Sequence, residues 1–370
     1  MCGIAGALYL EPGKTPSRAL LEAMVKQLGH RGPDGTGFHG EDQIGLGHAR
    51  LSIIDLVTGD QPIHNEDQSV WVIFNGEIFN YLELRAELES RGHCFYTRSD
   101  TEVIVHLYEE RGEAFVDELN GQFAIALWDQ RRRKLLLVRD RPGMLPLFYH
   151  RQADRLLFAS EVKALLPLLG GAPRLNRRAL HQLMTFWSPV SPETVFEDIF
   201  EVSPGEMVCV CNGRITKRRY WDFDYPLQND YAREPEERLA EQLHELLIDA
   251  TRIRLRSDVP VGAYLSGGLD SSIITALIHH HGGVPLRTFS IGFDDRSLDE
   301  SAFQDRLIAH LQANHSSIRC SYPDIGEAFL STIRHTELPV LRTAPVPMRL
   351  LSSLVREQNY KVVLTGEGSD

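Results

Sequence analysis

The feature that most constrains the fold of this chain is a change of pattern near residue 220. Before it, short alternating apolar segments such as Val70–Phe74 and Lys134–Val138 are separated by turn residues. Two of them, Met207–Cys211 and Arg214–Thr216, flank Asn212-Gly213, which is the spacing of a type I′ hairpin. After it, apolar strands alternate with amphipathic helices. The chain is therefore predicted to hold an antiparallel α+β domain followed by a doubly wound parallel α/β domain.

Helical periodicity interrupts the strands of the first half at Arg18–Leu28, Tyr81–Ser90 and Thr101–Arg111. The second half opens with a predicted helix over Pro235–Leu255. The strands and helices predicted after it are Val259–Leu265, Ser271–His280, Leu286–Ile291, Asp299–Ala313, Ser316–Arg319, Met348–Glu357 and Lys361–Thr365. We predict a first domain over residues 2–220, a polar linker over 221–234 and a second domain over 235–370.

Charge and composition exclude several classes of function. The net charge of −12, from 39 basic and 51 acidic residues, argues against binding to nucleic acid or to an anionic membrane. No stretch approaches the ~20 apolar residues of a membrane helix, so a cytoplasmic protein is expected. Five cysteines favour a reducing compartment without structural disulfides. Cys209 and Cys211 lack a second cysteine or histidine group at metal-ligand spacing, so no zinc site is predicted there.

Cys2 stands directly after the initiator methionine in the sequence MCGIAG. Removal of Met1 would leave a thiol and a free α-amine on one residue, and these can act as nucleophile and base. A small apolar residue that opens a strand is the alternative interpretation of the same cysteine. Cys2 alone does not decide between them.

A serine- and glycine-rich loop lies where the first strand of the second half meets its helix. Its sequence is Leu265-Ser266-Gly267-Gly268-Leu269-Asp270-Ser271-Ser272. Glycines let the backbone turn its N–H groups inward, and the helix N-terminus adds positive potential, so the loop suits phosphate. It matches neither a Walker A loop nor the dinucleotide GxGxxG pattern. A helix-capping turn without a ligand is the alternative.

A second glycine pair ends a later strand in Thr365-Gly366-Glu367-Gly368-Ser369-Asp370. Carboxylates at the carboxyl ends of parallel strands point into the crevice where such sheets bind ligands. Asp270 and Asp370 are therefore candidate Mg²⁺ ligands, because Mg²⁺ takes one or two carboxylates together with phosphate oxygens. Exposed acidic loop residues are the alternative.

Seven motifs together resemble the glutamine-hydrolysing asparagine synthetase family, in the family's order. They are MCGIAG, Arg31-Gly32-Pro33-Asp34-Gly35, Gly47-His48-Ala49-Arg50-Leu51-Ser52-Ile53-Ile54-Asp55, Asn75-Gly76-Glu77-Ile78-Phe79-Asn80-Tyr81, Ser99-Asp100-Thr101-Glu102, SGGLDSS and GEGSD. The resemblance implies an αββα N-terminal-nucleophile sandwich, which is a class II glutamine amidotransferase domain, followed by a doubly wound ATP-pyrophosphatase domain.

The resemblance also implies roles in the first domain. Cys2 would attack the side-chain amide of glutamine and form a thioester, and its α-amine would relay the proton to ammonia. The oxyanion donors would be the Asn75 side chain and the Gly76 N–H. Arg50 would hold the α-carboxylate of glutamine and Asp100 its α-ammonium group. The pocket would be completed by Ile53, Gly76 and Glu77.

For the second domain the resemblance implies ATP and Mg²⁺, cleavage between the α- and β-phosphates, and an acyl-adenylate that ammonia converts to an amide. The residues implied for ATP and pyrophosphate are Leu265, Ser266, Gly267, Gly268, Leu269, Asp270, Ser271, Ser272, Ile291, Thr365 and Gly366. Glu367 would lie near the acyl-adenylate, and Asp270 and Asp370 would bind the metal. Aspartate is the expected acceptor, and a homodimer is left open.

Two departures from the family concern the loop after residue 139 and the chain end. Relatives often carry lysine where this chain has Leu145, and Pro142 is unusual; we expect the change to lie outside the glutamine pocket. The family continues beyond GEGSD, so the second domain is expected to be incomplete. Other carboxylate acceptors, from cell-envelope or natural-product precursors, and a non-catalytic glutamine- or ATP-binding protein remain the alternatives.

Overall fold

A computed structural model describes residues 1–11, 13–231 and 233–368 of the chain. The chain divides into two compact units, Met1–Asp224 and Tyr225–Asp370. No helix among the described residues is long and apolar enough to cross a membrane.

The first unit is built on two six-stranded antiparallel sheets. Its strands are β1 (Gly3–Tyr9), β2 (Gly35–Glu41), β3 (Ile44–Arg50), β4 (Ile63–His64), β5 (Val70–Ile78), β6 (Gly121–Asp129), β7 (Lys134–Arg139), β8 (Phe148–Arg151), β9 (Arg155–Ala159), β10 (Ile199–Glu201), β11 (Glu206–Cys211) and β12 (Arg214–Arg219). One sheet has the order β10-β8-β9-β1-β3-β2, and the other has the order β12-β11-β7-β6-β5-β4.

Helices cover the outer faces of both sheets. They are α1 (Arg18–Lys26), α2 (Tyr81–Ser90), α3 (Glu102–Arg111), α4 (Phe115–Glu118) and α5 (Arg177–Phe186), with 3₁₀ turns at Gly112–Ala114, Val162–Ala164 and Leu166–Leu168. Successive side chains of β1 point to opposite faces of its sheet. Ile4 and Leu8 pack between the two sheets, while Ala5 and Ala7 pack under α1, so β1 contributes to two apolar layers. The predicted αββα sandwich is therefore confirmed.

The second unit is a four-stranded parallel sheet. Its elements are α6 (Glu236–Arg254), β13 (Val261–Tyr264), α7 (Leu269–His281), β14 (Arg287–Phe293), α8 (Ser301–Leu311), β15 (Asn314–Cys320), α9 (Tyr322–Thr336), α10 (Pro345–Glu357) and β16 (Val362–Leu364), after a 3₁₀ turn at Gln228–Asp230. The strand order is β15-β14-β13-β16. The chain first moves away from β13 on one side and later returns on the other. The carboxyl ends of β13 and β16 therefore flank a topological switch point, where such sheets bind ligands.

Apolar clusters lie on both faces of this sheet. Ala263 packs with Ile278 of α7 on one face, and Phe289 packs with Leu351 and Val355 of α10 on the other. Burial on both faces explains the continuous apolar runs of these strands, and it confirms the predicted doubly wound arrangement.

Local predictions from the sequence agree with most elements. Asn212 and Gly213 have φ angles of 50° and 71°, as the type I′ hairpin requires. α9 is not among the helices predicted from the sequence, and few of its apolar side chains are buried; Leu330 is 79% exposed. Its start is nevertheless encoded by a capping box between Ser321 and Asp324.

We predict that Gly6→Ala destabilises the first unit. A Cβ at Gly6 would lie 2.3 Å from Phe158 Cζ and 2.5 Å from the Gly45 carbonyl oxygen, so a buried ring and a backbone must move. The expected loss is about 1–3 kcal/mol of unfolding free energy. All four tryptophans lie before residue 225, so urea unfolding followed by tryptophan fluorescence reports this unit alone. Gly40→Ala is the control, since its Cβ would meet nothing within 4 Å. Equal effects of both substitutions would contradict this account.

Candidate active sites

Cys2 lies immediately before β1, beside the residue that follows β3. β1 and β3 pair with Gly3 opposite Ala49, which brings Cys2 to Leu51. The Leu51 N–H donates to Cys2 Sγ at 3.3 Å. Arg31 Nε donates to the Cys2 carbonyl oxygen at 2.8 Å, and Arg31 is in turn paired with Glu161 at 2.9 Å. The backbone and the thiol of Cys2 are thus both held in place.

The Cys2 thiol is neutral in this environment. Burial raises the pKa of the Cys2 thiol, and the hydrogen bond from the Leu51 N–H does not offset this effect. No histidine lies among the described residues that line the surrounding pocket. Nucleophilic attack from Cys2 therefore requires a base other than histidine.

One pocket contains all seven residues that the sequence assigned to glutamine. They are Cys2, Arg50, Ile53, Asn75, Gly76, Glu77 and Asp100. The elements that bring them together are β1, β3, β5 and the segment before α3. Further lining residues that sequence reasoning missed are Leu51, Ile54, Gly59, Gln61, Phe74, Ser99, Thr101, Gln122 and Leu145.

Asn75 and Gly76 lie on β5 at the wall of the pocket. Asn75 is fully buried, and its side-chain Nδ2 and Oδ1 have no hydrogen-bond partner among the described residues. A buried amide without a partner costs about 1–3 kcal/mol, so this side chain suits a polar ligand atom. A Cβ at Gly76 would lie 2.1 Å from the Gln122 carbonyl oxygen, so this position requires glycine.

Asp100 is a buried carboxylate in the same pocket. Ile78 N–H donates to its Oδ2 at 2.9 Å, and the Ser99 hydroxyl donates to Oδ1 at 3.3 Å. Burial raises the pKa of Asp100 to about 6, although these hydrogen bonds favour the charged form. A buried carboxylate of this kind is well suited to a cationic ligand group.

The Arg50 guanidinium supplies a positive charge to the pocket that contains the Asp100 carboxylate. Its Nη1 donates to Asp60 at 2.7 Å, and its Nη2 donates to the Asp55 carbonyl oxygen. The Arg50 side chain is 8% exposed, whereas that of Asp60 is 80% exposed. Arg50 is thus fixed by its buried position, whereas Asp60 lies in solvent. A ligand carboxylate can therefore replace Asp60 as the partner of Arg50 at little cost.

The expectation that Leu145 lies outside the glutamine pocket is wrong. Leu145 is buried and lines the pocket together with Cys2. Asp140, which is fully buried, accepts hydrogen bonds from the N–H groups of Met144 at 2.8 Å and Leu145 at 3.2 Å. This fixes the loop after β7 against the pocket. The contact depends on a loop distant in sequence from the glutamine motifs, and no local signal indicates it.

In the second unit, the SGGLDSS loop connects β13 to α7. The Ser266 and Ser271 hydroxyls lie 2.9 Å apart, and Gly268 N–H donates to Ser266 Oγ at 3.2 Å. A Cβ at Gly366 would lie 2.6 Å from Ser271 N. The loop after β16 therefore rests directly on the start of α7, at the switch point of the sheet.

A cavity at this point brings together most of the residues that the sequence assigned to ATP. Its predicted lining residues are Leu265, Ser266, Gly268, Asp270, Ser271, Ile291, Thr365 and Gly366, together with Glu367, which was predicted to lie near the acyl-adenylate. Tyr264, Met348, Leu351 and Gly368 also line it. Gly267, Leu269 and Ser272 do not line it, and the Leu269 side chain is 75% exposed. Asp370 lies outside the described residues.

Comparison with known proteins finds two family matches. A glutamine amidotransferase domain family matches residues 1–221, and an asparagine synthase family matches residues 242–370. Asparagine synthetase [glutamine-hydrolyzing] 1 of Bacillus subtilis is 33% identical, and amidase chry2 of Gibberella zeae is 34% identical. Each alignment covers 100% of this chain but 58% of the relative, so the chain spans just over half of their length.

Solved structures include a glutamine phosphoribosylpyrophosphate amidotransferase of B. subtilis. It is 16% identical, with a TM-score of 0.45 over 86% of this chain and 81% of that one. The first unit is thus a glutamine amidotransferase domain. The chain belongs to the glutamine amidotransferase domain family, and its residues 242–370 are similar to asparagine synthase.

We predict that kcat/KM for glutamine falls as the pH decreases through about 6. Asp100 has a pKa of about 6, so it is ionised above this pH and neutral below it. The neutral form cannot attract the glutamine ammonium group. Asp100→Asn should lower kcat/KM about ten-fold or more, because a hydrogen bond to a charged group contributes roughly 1.5–3 kcal/mol. It should also remove this step from the pH profile.

Initial rates of glutamate formation between pH 5 and 8 test this pH dependence. Asp42→Asn is the matched control, because Asp42 is exposed and lies outside the pocket. A step that persists unchanged in Asp100→Asn would show that another group titrates.

We predict that Gly366→Ala weakens ATP binding and leaves glutamine hydrolysis unchanged. The added Cβ would lie 2.6 Å from Ser271 N and 2.8 Å from the Asp270 carbonyl carbon, so the Thr365-Gly366 segment must move off α7. Calorimetric titration with Mg·ATP measures the effect. Gly326→Ala in α9 is the control, since its Cβ would meet nothing within 4 Å. Equal ATP affinity in both variants would refute a nucleotide site at this loop.

Proposed function

We propose that the protein is a glutamine-dependent asparagine synthetase. Glutamine would be hydrolysed to glutamate and ammonia in the Cys2 pocket. ATP would activate aspartate in the second unit as an acyl-adenylate, with release of pyrophosphate, and ammonia would convert the adenylate to asparagine. The family membership supports this reaction class, and the Cys2 pocket supports its first half.

The observation that carries the proposal is the buried Asn75 amide without a partner in the pocket of Cys2. Attack of Cys2 Sγ on the glutamine side-chain carbon turns its carbonyl oxygen into an oxyanion. Asn75 Nδ2 and the Gly76 N–H would donate to that oxygen. A donor that is already buried and unpaired needs no desolvation when the oxyanion forms.

The proton of the Cys2 thiol needs an acceptor, because the raised pKa keeps the thiol neutral. With Met1 removed, the α-amine of Cys2 would accept this proton and then deliver it to the departing ammonia. Collapse of the oxyanion breaks the carbon–nitrogen bond and leaves a thioester. Water then attacks the thioester, which releases glutamate and restores the thiol.

The two ends of the substrate amino acid would meet the two buried charges. Asp100 would hold the α-ammonium group, and Arg50 would hold the α-carboxylate in place of Asp60. Ile53, Glu77 and Leu145 would complete the pocket. This arrangement selects a zwitterionic amino acid and points its side-chain amide toward Cys2.

In the second unit the SGGLDSS loop would hold the phosphates of ATP. Its serine hydroxyls and the N–H groups at the start of α7 are donors on the cavity wall, and Gly366 permits the close approach of the loop after β16. Asp270 offers a carboxylate at the cavity, which fits a Mg²⁺ ligand. Bound Mg²⁺ would neutralise phosphate charge. Glu367 would lie near the activated carboxylate.

The acceptor carboxylate is proposed to be aspartate, as in the names of the asparagine synthetases that this chain matches. Relatives at 34% identity are named amidases, which favours other carboxylates as the second candidate. A panel of carboxylates tests this choice, with Mg·ATP and glutamine and with pyrophosphate and glutamate measured together. Release of pyrophosphate with another carboxylate but not with aspartate would reject asparagine synthesis.

We predict that Cys2→Ala abolishes glutamate formation and leaves pyrophosphate release with added ammonia intact. Deleting the thiol removes the nucleophile but no residue of the second unit. Cys94→Ala is the control, because Cys94 is an exposed free cysteine. Glutamate formation at the parent rate in Cys2→Ala would mean that another nucleophile acts. Intact mass of the active protein should also show Cys2 as the first residue, and active protein that retains Met1 would contradict the α-amine as base.

A further inference from the structure

A second group of chemistry-bearing side chains lies in the first unit and does not line the Cys2 pocket. Glu66 follows β4, His93 follows α2, and His106 and Glu109 lie one turn apart on α3. One ligand atom from each of the four residues lies within 4.8 Å of the other three. His106 is fully buried and Glu66 is exposed, so the group reaches from the core to solvent.

The inward-facing atoms are spaced as metal ligands are. His106 Nδ1 lies 3.4 Å from Glu66 Oε2 and 3.4 Å from Glu109 Oε2. His93 Nδ1 lies 3.5 Å from Glu66 Oε1 and 3.8 Å from Glu109 Oε2. With bonds of about 2.0–2.2 Å, ligand atoms around a tetrahedral Zn²⁺ lie roughly 3.3–3.6 Å apart. Small side-chain movements would complete this geometry.

One oxygen of each carboxylate is held by a donor from a neighbouring element. Glu109 Oε1 accepts from Asn65 Nδ2 at 2.8 Å. Glu66 Oε1 accepts from the Cys94 N–H at 2.8 Å. Each carboxylate thus keeps an Oε2 atom directed at the group. Outer hydrogen bonds of this kind orient metal ligands.

The far sides of the two imidazoles each face a further carboxylate. His93 Nε2 lies 3.2 Å from Glu110 Oε1, and His106 Nε2 lies 3.5 Å from Glu102 Oε1. A carboxylate behind an imidazole keeps the proton on the outer nitrogen and leaves the inner nitrogen free to bind a metal. Glu110 holds His93 in this way, whereas His106 Nε2 makes no hydrogen bond among the described residues. Both histidines present Nδ1 toward the carboxylates of Glu66 and Glu109.

We propose that Glu66, His93, His106 and Glu109 form a binding site for one divalent transition-metal ion, and that Zn²⁺ fits this ligand set best. Zn²⁺ accepts both imidazole nitrogens and carboxylate oxygens as ligands, and it favours a tetrahedral arrangement of four. All four protein ligands are supplied by the chain, so the site is of the closed, structural type. It is separate from the Mg²⁺ ligands proposed in the second unit.

The site would stabilise the segment that carries Asp100. Glu102, which backs His106, also accepts hydrogen bonds from Thr97 N–H at 2.7 Å and Thr97 Oγ1 at 2.6 Å. Metal binding would fix His106 on α3, and Glu102 on the same helix ties α3 to the segment between Thr97 and Asp100. The ion would therefore contribute to the stability of the first unit.

A proton on His106 is the competing occupant of the group. Burial opposes protonation, but Glu102, Glu109 and Glu66 raise the pKa of His106 to about 9. Without a metal, the protonated imidazole would pair with the carboxylates. Metal binding then requires displacement of that proton.

Zinc titration against a chromophoric chelator tests the proposal on protein without a polyhistidine tag. His279, His280 and His281 form an exposed run, so all three are replaced by alanine to remove adventitious binding. Cys2→Ala in this background excludes zinc on the catalytic thiol. We expect one Zn²⁺ per chain in both proteins. The Co²⁺ form should show the visible absorption of a tetrahedral site.

Variants at the ligands decide the location of the ion. His93→Ala should abolish stoichiometric zinc, and Glu110→Gln should weaken zinc binding about 10–100-fold, as expected for an outer carboxylate. Zn²⁺ should raise the unfolding temperature of the parent but not that of His93→Ala. Absence of stoichiometric zinc in the parent, or equal zinc in His93→Ala, would overturn the site. If the parent binds no stoichiometric zinc, a protonated His106 paired with the surrounding carboxylates would explain why these four side chains lie together.

Discussion

The pairing of β1 with β3 is the contact on which the first site depends. It places Cys2 beside Leu51, and Arg31 fixes the Cys2 carbonyl from the other side. Burial raises the pKa of Glu161, but hydrogen bonds from His30 and Lys163 and the charge of Arg31 outweigh this and lower the pKa to about 2. This carboxylate therefore stays charged and holds Arg31 over a wide pH range. Cys2, although it lies next to the first residue of the sequence, thus has the fixed position that a nucleophile needs.

The pockets of the two units are built from different kinds of polar groups. The first buries both faces of two antiparallel sheets and exposes a pocket where strand ends meet a loop. The second has a cavity at the carboxyl ends of the neighbouring strands β13 and β16, where serine hydroxyls and the start of α7 lie beside the carboxylates of Asp270 and Glu367. Buried side-chain charges suit recognition of an amino acid. Backbone donors at a helix start suit phosphate, which has many equivalent acceptors.

The sequence was sufficient for both fold classes and for the seven predicted residues that line the Cys2 pocket, because each of these seven lies in a motif. Leu145 could not be assigned, since its contact depends on how a distant loop folds over the pocket. The cluster around His106 could not be assigned either. Only His106 and Glu109, one helical turn apart, are visible as a pair, whereas Glu66 and His93 come from separate loops. Pairings of this kind require the tertiary fold.

The position of β1 inside its sheet has a consequence for biosynthesis. Ala5 pairs with Ala159, and the Ile4 N–H donates to Ser160 Oγ at 3.0 Å. One edge of β1 thus waits for partners more than 150 residues later in the chain. Contacts of such long sequence separation slow folding and leave strand edges exposed during translation. The nascent chain therefore carries one unpaired edge of β1, the edge opposite β3, until most of the first unit has been synthesised, which makes this interval a natural point for chaperone assistance.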